Sequence, residues 1–368
     1  MKDERAHLQL FELIARDWQL AAPVQQITFN ADSSAVAFAS ADGSVHLAAT
    51  ADKASPNLRT RRAIDTGRLT ISPRDKAFLP LKPADFTGGR SSDVVACGAT
   101  GFAFAKADGR INALTPGGIA VHMTAKAPAE ISVLAASPDG TTLAFACAAQ
   151  VFIAAPDGGG QRCLPAASAV RGMAFSPDGQ TLAVGYANGL ARWALQDLDR
   201  PPVETPLPGT PTRLDWHPDG TWLTAGMATD GFCLIDTVQN RATPRGNFPS
   251  PVPCAVFGLA TNTVVAAGAF RVAAWDLASG QAVVTGRPGL VLVSALATSA
   301  HRNLVAVGYA NGLLSLAEIG QSPEILLRED TGAAITAMAW SANGTYLALA
   351  GSDGSAALIE FPDSMFKS

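Results

Sequence analysis

Charge is scarce in this chain: 16% of its 368 residues are Asp, Glu, Lys or Arg, and the net charge is −4. With 48% hydrophobic residues, it cannot be an acidic or basic disordered polymer, which lacks the apolar surface to offset ordering entropy. No run of eighteen apolar residues occurs, which argues against a membrane-spanning helix. The opening Met1–Arg16 carries Asp3, Glu4, Arg5 and Glu12, so it lacks the basic start and unbroken apolar stretch of a secretory leader. Five cysteines (Cys97, Cys147, Cys163, Cys233, Cys254) are odd in number and contain no Cys-x-x-Cys pair. That pattern fits scattered core thiols in a reducing compartment and argues against a disulfide framework or a zinc site. The expectation is a soluble cytoplasmic protein with no cofactor.

Reactive motifs are missing as well. There is no Gly-x-Ser-x-Gly elbow, no His-Glu-x-x-His and no Gly-x-x-x-x-Gly-Lys phosphate loop. The five histidines (His7, His46, His122, His217, His301) fall in five separate segments, where turn or surface positions are the simplest reading.

What the chain does have is a repeat. LAASPDGTTLAFA (134–146), MAFSPDGQTLAVG (173–185) and LDWHPDGTWLTAG (214–226) share an apolar run, a Pro-Asp-Gly turn and an alternating run. MAWSANGTYLALA (338–350) keeps the form, and weaker copies stand at 27–39, 101–114, 255–268 and 295–308. The markers Val36, Phe102, Leu143, Leu182, Leu223, Val265, Val305 and Leu347 are spaced 66, 41, 39, 41, 42, 40 and 42 residues apart. The long first interval contains an insertion. Period-two alternation bounded by Gly, Asp and Asn means strands, and the Asp-Gly and Asn-Gly pairs at 42–43, 108–109, 188–189, 311–312 and 353–354 mean tight hairpins. Four antiparallel strands per forty-odd residues make one propeller blade.

The Ser-Pro-Asp-Gly turns, the Asp/Asn-Gly turns and third strands ending in Ile235-Asp236 or Trp275-Asp276 resemble the WD-repeat family over nearly the whole chain. The Gly-His pairs of regular members are missing and a single Trp-Asp survives. The resemblance implies one all-β domain over 1–368, a closed β-propeller with a rigid frame for docking. Eight blades are expected, or seven if the weak second copy, with Asp93 where the first has Ile27, is no blade. The last copy lacks its outer strand, which LQLFELIARDW (8–18) can supply from the other end of the chain.

The insertion, at about 53–90, is basic. Lys53, Arg59, Arg61, Arg62, Arg68, Arg74, Lys76, Lys82 and Arg90 face only Asp65, Asp75 and Asp85, so it carries +6 and the remainder −10. Such asymmetry can steer a partner of opposite sign. By family topology a link between blades would lie on the top face, with the second-to-third-strand turns. There VGYANGL recurs at 184–190 and 307–313, offering Tyr186 and Tyr309 beside Lys106, Met227, Phe270 and Arg271. Inner-strand starts add Gln25, Gln26, Arg171, Thr212, Arg213 and Thr336. Tyr and Arg serve well as binding anchors, although a turn tyrosine can equally cover a neighbouring blade. The recurring turn acids Asp32, Asp139, Asp178 and Asp219 suit capping of their own backbone.

The reading is a non-enzymatic scaffold or adaptor that binds a protein, one with an acidic surface if the insertion takes part. Nucleic acid is disfavoured because Phe78 and Phe86 are the only aromatics there for stacking. The alternative is a lactonase-like propeller hydrolase or small-ligand binder with a metal in the channel, for which Asp93, Asp215 and Glu130 would be the acids.

Overall fold

The computed structural model describes residues 9–66, 68–84, 94–98, 101–106, 108–229, 231–252 and 254–366. Asp85, Phe86, Arg90, Asp93 and His7 lie outside them. Eight four-stranded antiparallel sheets form the blades. Their inner strands are Val24–Phe29, Val94–Cys97, Val133–Ala136, Gly172–Phe175, Pro211–Trp216, Ala255–Gly258, Val293–Thr298 and Ile335–Trp340. The weak second copy is a full blade, continuing through Gly101–Ala105, Arg110–Leu114 and Ala120–Lys126. The count is therefore eight.

Neighbouring blades meet around the circle through their inner strands, except that the inner strand of blade 6 meets the second strand of blade 5, and the eighth inner strand lies beside the first. Inner-strand hydroxyls tie neighbours together: Thr28 donates to the Val94 carbonyl at 2.9 Å, Ser294 to Ile335 at 2.7 Å, and Thr336 to Val24 at 2.7 Å. The last of these crosses the seam between blade 8 and blade 1. The outer strand of blade 8 is Ala15–Gln19, antiparallel to Ser355–Glu360. The expected strand over 8–18 is thus shorter at its start, because Leu10–Ile14 forms a helical turn. A helical turn puts Phe11 and Ile14, three apart, on one side. Both are buried against blades 7 and 8 among Leu314, Leu327, Leu349 and Ile359.

Alternation in the second strands serves two neighbours at once. In Ala35–Ser40, Val36 and Phe38 pack with Ala348, Ala350 and Leu358 of blade 8. Ala35 and Ala37 pack against Phe102 and Phe104 of blade 2. Large side chains on one side and alanine on the other let twisted sheets nest closely, which accounts for the alanine-rich strands.

The first-to-second-strand turns are self-contained. Ser137 donates its hydroxyl to Asp139 at 2.6 Å and accepts the Thr142 amide at 2.9 Å, while Asp139 accepts the Thr141 amide at 3.0 Å. Ser176–Asp178–Thr181 and Ser341–Asn343–Tyr346 repeat the arrangement. Asp32 and Asp219 accept their own turn amides in the same way. These acids hold the frame as capping residues.

The insertion departs from expectation. The outer strand of blade 1 is the two-residue Lys82–Pro83, paired with Leu47 and His46. Most of the extra chain therefore lies between the third and outer strands of blade 1, not between blades 1 and 2. Third-to-outer connections share the bottom face with the Pro-Asp-Gly turns, so the insertion springs from the face opposite Tyr186 and Tyr309. An outer strand of two residues carries no period for a sequence pattern to show.

Candidate functional site

The base of the insertion is bound to the ring at the seam between blades 8 and 1. Arg59 donates to three carbonyls, those of Ala54 (2.8 Å), Leu13 (2.7 Å) and Ser72. Arg74 grips the Asp52 carboxylate with both terminal nitrogens, and Arg16 lies 3.9 Å from it. Burial pushes Asp52 up, but the Arg74 and Ala54 hydrogen bonds and both guanidinium charges outweigh this and hold it below its ordinary value. Nearby, Ser55 and Asn57 donate to Glu360, a buried carboxyl whose pKa burial raises. Phe78 lies edge-on to Trp18 at 5.5 Å, and the Trp18 indole donates to the Leu79 carbonyl at 2.9 Å. Arg59 and Arg74, offered by the sequence as docking residues, are anchors of the insertion itself.

Beyond that base the chain forms a hairpin, Thr60–Arg62 against Leu69–Ile71, and Ile71 packs against the core cluster of blades 7 and 8. Arg61, Arg62 and Arg68 are exposed on it, as is Lys76 further along. None of the four makes an ion pair with a described residue. Ile64, in the hairpin loop, is completely exposed and Leu58 is 75% exposed.

On the top face the structure separates the candidates. Tyr186 and Tyr309 are buried, and their hydroxyls donate to Glu204 and Glu324 on the outer strands of their own blades. Burial first, then the adjacent carboxylate, raises both pKa values, that of Tyr309 to about 12. The Tyr186 ring lies across Gly189, where an added Cβ would sit 2.5 Å from it. The repeated VGYANGL is therefore a packing motif, and neither tyrosine is a surface anchor. Met227 is also buried, at 2% exposure. Arg171 and Arg213 are exposed and Lys106 is half-buried. Arg213 pairs with Asp215 at 2.9 Å, whose charge raises the guanidinium pKa.

Phe270 remains, and its surroundings make it a different case. It is 47% exposed in the second-to-third-strand loop of blade 6. The link to blade 7 runs beside it, with the Gly289 amide donating to the Phe270 carbonyl at 3.0 Å. That link carries Leu290, 97% exposed, and Arg287, also exposed. Arg271 points inward and fastens both loops, donating from Nε to Thr285 (3.0 Å) and from Nη2 to Gly286 (2.7 Å). Sequence reasoning found Phe270 and missed Leu290, whose signal was a leucine directly after Arg-Pro-Gly in a link.

On the bottom face a groove of about 220 Å³ opens between blades 4 and 5, lined by Pro177, Asp178, Trp216, Pro218 and Asp219. Arg192 at its floor donates to the Thr237 carbonyl at 2.9 Å and to Asn240 Oδ1 at 2.8 Å.

Reactive groups do not converge. Among the described residues no cluster of three His, Cys, Asp or Glu could hold a metal. Asp215 is paired with Arg213, and Glu130 is exposed. His217 pairs with Asp219 at 2.7 Å, while His301 meets the Ala342 carbonyl at 2.9 Å. Cys147, Cys233 and Cys254 are buried as expected, but Cys163 is exposed and Cys97 half-buried. No described helix is long and apolar enough to cross a membrane.

The family model for "WD domain, G-beta repeat" matches at residues 161–193, 205–235 and 323–359. Among curated proteins none matches the chain. The computationally designed Ika8 protein is similar in structure, at TM-score 0.69 and 18% identity, with 96% of this chain and all of that one covered. The C-terminal WD40 domain of Sif2 superposes at TM-score 0.65 and 12% identity, covering 95% of this chain and 99% of that one. These two establish likeness of fold. Spacing, turn chemistry and ring closure together make the chain an eight-bladed β-propeller, and three of its repeats match the WD-repeat family model.

Proposed function

We propose that this protein is a non-enzymatic scaffold that captures a protein partner on its top face, with Phe270 and Leu290 as the anchor. The WD40 propeller is commonly a protein-interaction scaffold, but fold alone does not assign function. The observation carrying the reading is the juxtaposition of two large exposed apolar side chains on loops fastened by Arg271. A pre-ordered apolar knob loses little entropy on binding, and such central anchors dominate interface energies. Arg287, Arg171 and Lys106 give the same face a cationic complement for an acidic partner. Aromatic platforms for stacked bases are scarce, since Phe78 is already packed against Trp18. Free thiols, including exposed Cys163, suit a reducing compartment, so the reading includes action in the cytoplasm.

The test is affinity capture from lysate with F270S/L290S beside the parent, followed by mass spectrometry. The double variant should lose one or more proteins while its melting temperature changes little, because Leu290 stands in water and Phe270 is about half exposed. Recovery of the same proteins in the same amounts would sink the reading.

A further inference from the structure

Of the four bottom-face turns that end in Gly140, Gly179, Gly220 and Gly344, three press on the blade before them. A Cβ built on Gly179 of blade 4 would meet Pro138 of blade 3 at 3.7 Å, and one on Gly344 of blade 8 would meet His301 of blade 7 at 3.0 Å. Gly140 of blade 3 is closer still to Gly98 of blade 2. At Gly220 of blade 5 a Cβ would meet nothing of blade 4 within 4 Å. The groove between blades 4 and 5 is that gap. Its walls are Pro177, Pro218 and Trp216, whose indole donates across the seam to the Ala174 carbonyl at 3.2 Å. Asp178 and Asp219 stand exposed at its rim. Each uses Oδ1 to cap its own turn, and Oδ2 of each takes no hydrogen bond from a described residue. In the equivalent turn of blade 3, by contrast, Asp139 accepts the Thr141 hydroxyl on Oδ2 at 2.8 Å. Hydrogen bonds from Ser176 and Gln180 lower the Asp178 pKa. Burial raises that of Asp219, but its bonds from Thr221 and His217 bring it below the ordinary value, so both are ionised at neutral pH. Arg192, on the floor, is 8% exposed; both its Nη atoms are bonded, yet its buried Nε has no acceptor among the described residues. A buried donor left unpaired is costly, and an acceptor entering the groove relieves it. The Arg192 charge is opposed by that of Asp236, so the excess charge of the groove is negative.

We propose that this groove binds a basic segment of a protein partner, a lysine or arginine side chain entering between Asp178 and Asp219 while a peptide carbonyl beside it accepts from Arg192 Nε. Charge selects the occupant: two free carboxylate oxygens flank the entrance, and no lysine or arginine besides Arg192 lines it. The walls suit such a side chain. Its methylene stem lies along the two prolines, as long cationic side chains do on apolar surface, and a cation near the Trp216 indole gains further attraction. A volume of about 220 Å³ admits one long side chain with the peptide unit that bears it, not a folded element. An acidic segment would bring its charge against both carboxylates, and an uncharged one would leave their Oδ2 atoms unmet. A free amine would leave Arg192 Nε without its acceptor. The site lies on the face opposite Phe270 and Leu290, so it stands apart from the top-face reading.

Peptide arrays probed with the purified, fluorescently labelled full chain test this. The peptides are acetylated, amidated pentapeptides with Lys, Arg, Leu or Glu at the centre and the other positions randomised. Retention on the Lys and Arg arrays should exceed that on the Leu and Glu arrays by about tenfold, and D178N/D219N should abolish the difference. The melt of that variant should be unchanged, because Asn343 caps the equivalent turn of blade 8 in the same way. D139N/D157N removes the same charge from blade 3 and should bind as the parent does. So should F270S/L290S, whose changes lie on the other face. Spermine, a free polyamine, should compete only weakly. Equal retention on the Lys and Leu arrays, a D178N/D219N variant that binds like the parent, or equal losses in the two acid variants would each overturn the proposal. So would a loss in F270S/L290S, or spermine competing as well as a basic peptide.

Discussion

Ala15 lies directly opposite Ile359 in an antiparallel ladder that ends with Gln19 opposite Ser355. Two segments from opposite ends of the chain thus make one blade, and the packing beside this ladder decides whether the ring stays shut. Ile14 is 2% exposed there, among side chains of blades 7 and 8. Ile14→Ala should cost about 2–5 kcal/mol, the usual range for removing a buried isoleucine. Ile64→Ala, at a fully exposed position, should cost nothing measurable. Urea unfolding of both variants checks this, and equal midpoints would mean the clasp contributes no stability.

Gly140 and Gly220 end equivalent Pro-Asp-Gly turns with φ of +70° and +75°. An alanine at either strains the backbone by roughly 1–2 kcal/mol. At Gly140 the new Cβ would also overlap the Gly98 amide nitrogen of the neighbouring blade, whereas at Gly220 it meets open space. G140A should therefore lower the melting temperature well beyond G220A, and matched melts would refute the close approach of blades 2 and 3.

The ring was legible because its signal is written eight times: a marker such as Leu182 recurs at a near-constant interval, and chance does not do that. The surfaces were less legible, for reasons particular to single residues. Tyr186 looked like an anchor because the turn motif is local, while the Glu204 that buries its hydroxyl lies on the outer strand. Arg59 and Arg61 are indistinguishable as letters, yet one spends its donors on three carbonyls and the other faces water. The side of the ring from which the insertion rises depends on Lys82 and Pro83, two residues pairing with Leu47 and His46, which no periodicity announces. Leu290 became a candidate once a backbone bond placed its loop beside Phe270.

Asp52 should govern stability in acid. Its folded pKa is depressed below the ordinary carboxylate value of about 3.9. The resulting stability is present above that ordinary value and is lost as pH falls through the folded one. Asp52 and Arg74 are largely buried, with side chains 10% and 13% exposed, so breaking the pair should cost roughly 3 kcal/mol near neutrality. D52N should show that deficit in denaturant midpoints at neutral pH. The deficit should shrink toward zero in acid, where the parent's own carboxylate becomes protonated. A deficit that stays constant down to about pH 2, below the ordinary carboxylate range, would assign the effect to packing instead of charge.

Alkaline behaviour follows from the tyrosines. The chain has three, Tyr186, Tyr309 and Tyr346, and burial is the leading cause that raises the pKa of each. In the unfolded chain all three should ionise near 10. An acid whose folded pKa is raised keeps its proton in the fold after the unfolded chain has released it, so stability falls as pH climbs from about 10 toward the folded value. The native protein should then show less phenolate absorbance near pH 10 to 11 than the urea-unfolded protein, whose tyrosines are half ionised at about pH 10 and mostly ionised at about pH 11. Absorbance and loss of strand signal should appear together at about pH 12, in the region of the Tyr309 value. Tyr309→Phe removes the hydroxyl that donates to Glu324, but Ser315 still donates to that carboxylate at 2.6 Å. The variant should therefore lose about 1 kcal/mol at neutral pH and become less sensitive to alkali. Native phenolate signal with a midpoint near 10 would show these hydroxyls in water, returning Tyr186 and Tyr309 to the top-face surface as recognition residues.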